Sequence, residues 1–158
     1  MFQLFSRTSA GIAAVIAAGV LCLPAAASAA PAPAAVKAAV EKVLTDSAAA
    51  YSAGDFKGFI ASYEISPDTT YISGDKVITG YEEIARTYSG RFEARDAKAS
   101  LGKLSVQILN ARMLGPDYVL AIGRFKVETP DAKSAAGIFS LIFHKTSAGW
   151  RIVADHTS

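Results

Sequence analysis

The chain has 158 residues, a formal net charge of +2 and a 51% share of hydrophobic residues, and its single cysteine is Cys22. Acids and bases nearly balance and no basic run stands out, which argues against a nucleic-acid partner. With two histidines, no cysteine after residue 22 and no H-x-x-x-H spacing, the sequence offers no zinc site. It also lacks a G-x-S-x-G elbow, a P-loop and a G-x-G-x-x-G turn, so no cofactor is implied.

The first thirty residues differ from the rest. Arg7 is the only charge before Lys37, an apolar run extends from Gly11 to Leu23, Pro24 breaks it, and Ala27-Ser28-Ala29 follows. A positive start, a short apolar run and an A-x-A site are the parts of a secretory signal peptide, here residues 1–29. The run is shorter than the roughly 20 residues a spanning helix needs. Leu21, where a lipoprotein signal places a small residue, argues against lipidation of Cys22. The expectation is an exported bacterial protein, periplasmic or secreted, with no membrane span after cleavage and no disulfide.

Residues 30–35, with Pro31 and Pro33, read as a short extended leader. Residues 36–158 then form a single domain, and roughly 120 residues suffice for one core. From Val36, apolar residues recur at helical spacing through Val40, Val43, Leu44, Ser47 and Tyr51. Gly54 ends that helix, and Asp55 caps a short second one carrying Phe56, Phe59, Ile60 and Tyr63. Thr69 to Ile72 and Lys76 to Thr79 flank Ser73-Gly74-Asp75 as a hairpin. Thr79 and Glu82 form a capping box for a third helix with Ile84, Tyr88 and Phe92 on one side.

Beyond about residue 100 the period becomes two. Lys103–Met113, Tyr118–Glu128, Ala136–Lys145 and Trp150–Thr157 read as strands, separated by Gly115-Pro116-Asp117, Thr129-Pro130-Asp131 and Ser147-Ala148-Gly149. Connections this short join antiparallel neighbours. Helices first and a meander afterwards give an α+β domain with helices on one face of a curved sheet.

Ala53-Gly54-Asp55-Phe56 followed by Tyr63, the Gly80-Tyr81-Glu82-Glu83-Ile84 helix start, and the final Trp150-Arg151-Ile152-Val153-Ala154-Asp155-His156-Thr157-Ser158 carry a resemblance. Over residues 36–158 the chain resembles the nuclear transport factor 2-like superfamily, and within it the SnoaL-like domains of unknown function. The resemblance implies a cone-shaped half-barrel, with three N-terminal helices packed on a bent antiparallel sheet around a deep pocket. It also implies a homodimer formed through the outer sheet face.

Strict alternation puts Trp150, Ile152, Ala154 and His156 on one face of the last strand, and Arg151, Val153, Asp155 and Thr157 on the other. Trp150 and Ile152 suit the concave side, so His156 is expected there too, either as an acid, base or ligand partner or as a residue that closes the cavity on a backbone bond. Asp155 then belongs to a surface or dimer contact. The strand from Ala136 to Lys145 is apolar on both faces, one of which carries Ile138, Ser140, Ile142 and His144, so both of its faces are expected to be covered. His144 reads as rim or surface. Arg124, among Tyr118, Leu120 and Ile122, reads as an anion receiver, a partner of a cross-strand acid, or a solvated side chain. The pocket candidates are therefore Tyr63, Tyr71, Arg124, Ser140, Trp150, Ile152 and His156, with His156 as the catalytic candidate.

The ketosteroid isomerases of the superfamily offer a test. Counting from Gly54, their oxyanion-donor tyrosine falls on Ser47, and their general-base aspartate falls within Tyr71 to Ser73, where no carboxylate stands. That pair is missing. The function expected is an exported pocket domain that binds a small apolar or amphipathic ligand or serves as a dimeric assembly module. The alternative is a small-molecule isomerase, dehydratase or cyclase using His156 with a pocket tyrosine.

Overall fold

The structure, a computed structural model, describes residues 30–93, 101–130 and 134–158. Residues 1–29, expected to be a signal peptide, lie outside the described residues. No helix among those described is long and apolar enough to cross a membrane.

Helix α1 (Ala34–Ala53) buries Val40, Leu44, Ser47 and Ala48, the stripe expected of an amphipathic helix. Gly54 closes it in the left-handed conformation at φ 72°, which a side chain would resist. Asp55 caps the short helix α2 (Phe56–Ile60), its carboxylate accepting from the Gly58 amide at 3.0 Å. Strands β1 (Thr70–Ser73) and β2 (Lys76–Thr79) form the hairpin, and helix α3 (Tyr81–Phe92) follows. The capping box does not form: Thr79 is paired with Thr70 as the last residue of β2, so Gly80 becomes the N-cap without a side-chain bond. Glu82 and Glu83 still sit in the first turn, where the helix dipole favours them.

The meander consists of β3 (Lys103–Gly115), β4 (Tyr118–Glu128), β5 (Ser134–Thr146) and β6 (Gly149–Thr157). The six strands make one sheet in the order β2-β1-β6-β5-β4-β3. One expectation needs correcting: the sheet is mixed, because β1 runs parallel to β6. The hairpin thereby extends the meander, and Tyr63 bridges to Ile152 farther down the same edge of β6. The leader is also engaged, since Ala32 and Ala30 exchange backbone hydrogen bonds with Ala111 and Met113 along the free edge of β3. That pairing covers an edge that would otherwise be open.

The sheet bends over the helices. Its inner face carries Val119, Ala121, Phe139, Leu141, Phe143, Trp150 and Ile152, packed against Val40, Leu44, Phe59, Ile60, Ile84 and Tyr88. Three register shifts interrupt its ladders, at Leu109 and Leu114 in β3 and at Val153 in β6.

Candidate functional site

The bulge at Val153 decides what enters the cavity. Register passes from Phe143 opposite Ile152 to Ile142 opposite Ala154, so Val153 is an extra residue on β6. A single inserted residue exchanges the two faces of every position beyond it. Trp150 and Ile152 therefore face inward as expected, but Asp155 and Thr157 succeed them on the inside and His156 is turned out. Asp155 is buried and His156 is exposed. Both expectations for this pair, an inward His156 and a surface Asp155, are thus reversed. The Ile152-Val153-Ala154 stretch holds no glycine or proline that would signal the irregularity.

A cavity of about 430 Å³ lies between the helices and the inner sheet face. That is within the roughly 300–1,000 Å³ usual for small-molecule sites. Its walls are largely apolar, with Leu44, Phe59, Leu101, Val106, Phe125 and Leu141 among them. The polar groups are concentrated on one side. Tyr63 from the end of α2 donates its hydroxyl to Asp155 at 2.6 Å, and Thr157 donates to the other carboxyl oxygen at 2.6 Å. Tyr71 lies opposite Asp155 in the parallel β1–β6 pair, and Ser73 opposite Thr157. The Tyr71 and Tyr88 rings lie 5.2 Å apart, and Tyr88 completes the cluster from α3.

Burial sets the protonation of this cluster. Desolvation raises the Asp155 carboxyl above its ordinary 3.8, against the opposing pull of the Thr157 and Tyr63 hydrogen bonds and the His156 charge. Burial likewise pushes the Tyr63 and Tyr88 phenols well above 10, and the Asp155 carboxylate pushes them further. Both remain neutral hydrogen-bonding groups at any ordinary pH. The arrangement is a carboxyl inclined to hold its proton, flanked by phenols that keep theirs. It can donate to or accept from an oxygen placed in the cavity, and it can exchange one proton with it.

Three of the seven pocket candidates line the cavity: Tyr63, Tyr71 and Ile152. Trp150 is buried in the core beyond the cavity. Ser140 stands on the outer face between Ile122 and His156, because the inner residues of β5 are Phe139, Leu141 and Phe143. Arg124 keeps the neighbours the alternation gave it, but their face is the outer one, and it is exposed there. His144 is half-buried on the outer face, with Nδ1 2.7 Å from a Glu64 carboxylate oxygen and its ring stacked on Tyr118 at 4.6 Å. Ser47, where the isomerase comparison looked for a tyrosine, is a buried hydroxyl directed at Ser62 and the Phe59 carbonyl. Sequence reasoning missed Asp155, Thr157 and Arg91 as cavity residues, and it grouped Tyr88 with the tyrosines of the helical half without making it a pocket candidate. For Tyr88 the signal was present, since it shares the inward stripe of α3 with Ile84. Among the described residues, no group of acidic, histidine or cysteine side chains is arranged to hold a metal ion.

The SnoaL-like domain family matches residues 40–158. The chain belongs to that family. Among solved structures, it is similar to a nuclear transport factor 2-like protein of unknown function from Shewanella oneidensis MR-1. That match has 24% identity and a TM-score of 0.70, and spans 77% of this chain and 98% of that one. It is also similar to a nuclear transport factor 2-like superfamily protein from Salmonella enterica serovar Typhimurium, at 18% identity, TM-score 0.56 and coverage of 80% and 92%. A ketosteroid isomerase-like protein from Erwinia carotovora atroseptica matches at 18% identity and TM-score 0.56, over 77% of this chain and 93% of that one. At these identities the likeness is one of fold, and it supports the α+β half-barrel of the superfamily. No curated protein matches the chain.

Proposed function

We propose that this SnoaL-like domain is exported and binds a small apolar or amphipathic molecule in the cavity, with two copies joined through the outer sheet face. The observation that carries the reading is the coexistence of an apolar space of about 430 Å³ with one localised polar cluster, Tyr63–Asp155–Thr157 beside Tyr71 and Tyr88. A few placed polar groups within apolar walls are what orient a small ligand. Export is supported by Arg7, the Gly11–Leu23 apolar run and the Ala27-Ser28-Ala29 site. Pairing is supported by the outer face, where Leu120, Ile122, Ile138 and Ile142 lie on adjacent strands and Ile138 is 43% exposed.

Native mass spectrometry of the protein purified from the periplasm or medium reads all three parts. The expected species is a dimer of chains shortened by about 29 residues, the signal length read from the sequence, with a retained small molecule or one that can be added back. Binding is tested directly with the neutral dye N-phenyl-1-naphthylamine. Saturable, blue-shifted fluorescence is expected, and Val127→Trp, which fills part of the cavity wall, should abolish it. Absence of saturable binding to the folded wild type would refute the ligand reading.

A second reading, an isomerase-, dehydratase- or cyclase-type enzyme, is favoured by one specific feature: the raised carboxyl of Asp155 within hydrogen-bond reach of Tyr63. In it Asp155 takes the acid–base role and Tyr63 the donor role. His156, on the outer face, has no part in it.

A further inference from the structure

The cavity wall also carries a charged side chain, outside the Tyr63–Asp155–Thr157 hydrogen bonds. Arg91, in the last turn of α3, lines the cavity, with its guanidinium carbon 5.3 Å from the centre of the Tyr88 ring. Its charge is also felt by Tyr51, whose phenol is raised by burial and lowered in opposition by Arg91. Arg91 thus lies over one cavity phenol and acts through its charge on a second, from a different helix. Among the described residues it is the only lysine or arginine that lines the cavity.

Two other cations of the helices have acidic partners, whereas Lys37 on α1 and Lys57 on α2 make no ion pair among the described residues and do not line the cavity. Lys42 pairs with Asp46 one turn along α1, and Arg86 pairs with Glu83 on α3. Arg91 makes no ion pair among the described residues, and its recorded contact is the face of Tyr88. The dipole of α3 favours a cation in its last turn. That preference would be met equally by a side chain extended into solvent, and it does not account for a guanidinium held over a ring that lines the cavity. Cation–π contact restrains the side chain while leaving its N–H donors free for an anion. Arg91 is exposed where Asp155 is buried, and its contact with the cluster is through the Tyr88 ring rather than with the carboxyl.

We propose that Arg91 selects the ligand as an organic anion: an apolar chain or ring within the walls, a carboxylate, sulfate or phosphate at the guanidinium, and any internal carbonyl or hydroxyl oxygen at the Asp155–Tyr63 cluster. This specificity rests on the cavity being a ligand site, so its test must separate the two.

Decanoate and decanol, which share an apolar chain and differ in the terminal group, are used to displace N-phenyl-1-naphthylamine at neutral pH from the wild type, Arg91→Gln and Arg91→Lys. A charge-assisted contact at an exposed guanidinium should lower the decanoate concentration for half displacement roughly five- to tenfold in the wild type relative to Arg91→Gln. Arg91→Lys should retain most of the effect. Decanol should displace equally from all three, and added salt should weaken decanoate alone. If the dye binds and decanoate displaces it equally from the wild type and Arg91→Gln, the anion proposal is overturned while the ligand reading stands. If the dye does not bind at all, both fall. Thermal melts of the three proteins, expected to coincide because Arg91 is exposed, separate lost binding from lost fold.

Discussion

The same two strands are built differently at their two ends. Where β4 begins and β5 finishes, Val119 sits opposite Phe143, and both are completely buried with Trp150 and Ile152 beside them. Where β4 finishes and β5 begins, Val127 sits opposite Ala135 and Phe125 opposite Gly137, and Val127, Ala135 and Phe125 line the cavity. The inward pattern is apolar throughout, so hydrophobicity does not distinguish the ends. Side-chain volume does. Large residues in register fill one end to the density of a core, while the short side chain of Ala135 at the other lies on the wall of a space that the helices span without filling. The packed end holds the domain together, and the open end is available to a ligand.

The most severe test of that division is Phe143→Ala. Removing a completely buried ring should cost about 3–5 kcal/mol, read as a lower urea midpoint at unchanged slope. Dye binding, measured well below the midpoint, should persist, because Phe143 does not line the cavity. If binding disappeared while the fold survived, the two ends would not be independent.

Gly123 stands between the two ends. A Cβ there would come within 2.2 Å of Phe139 and 2.4 Å of the Gln107 carbonyl oxygen, and the second of these is backbone. Gly123→Ala should therefore destabilise by about 1–3 kcal/mol and displace the Phe139 ring, altering dye affinity as well. An effect on both readouts places Gly123 at the boundary; an effect on stability alone assigns it to the packed end.

The division was partly legible in the sequence. The stripe from Val40 to Tyr51, the Gly54 stop, the Asp55 cap and the four period-two runs all have local chemical causes, and each appears within a few residues of where it was expected. The parallel β1–β6 pairing and the Val153 bulge are long-range outcomes. Neither has a local marker, and the bulge alone reversed the assignments of Asp155, His156 and Thr157. Arg124 and Ser140 were misplaced for a different reason. Both faces of the central strands are apolar, so alternation separated the faces without saying which was the inner one.

Asp155→Asn tests the chemistry of the open end, with an expected effect smaller than that of either packing change. The folded carboxyl is raised above 3.8, so between that value and the folded value the native state holds a proton that the unfolded chain has released. Asp155 therefore makes the wild type lose stability as pH rises through that window, opposite to a salt-bridged carboxylate. Asn cannot ionise and can still accept from Tyr63. The variant should be as stable as the wild type or more so at pH 7, with a flatter stability profile from pH 4 upward. A variant that loses stability most at neutral pH would mean that the carboxylate, and not the acid, is the favoured native form.

The smallest effect is expected from His156→Gln, and it bears most directly on the bulge. If strict alternation held to the end of β6, His156 would share the cavity with Ile152, and its loss would change dye affinity, the pH dependence of binding, or both. With Val153 as an extra residue, His156 is exposed on the outer face beside Ser140 and Ile72, the cavity keeps its polar cluster, and glutamine can take the same solvated position. Stability should then change by less than about 0.5 kcal/mol, with dye affinity unchanged. Any change should appear in the dimer–monomer balance, because that face is the one proposed to pair. A measurable shift in dye affinity would return His156 to the cavity and remove the basis for assigning Asp155 to it.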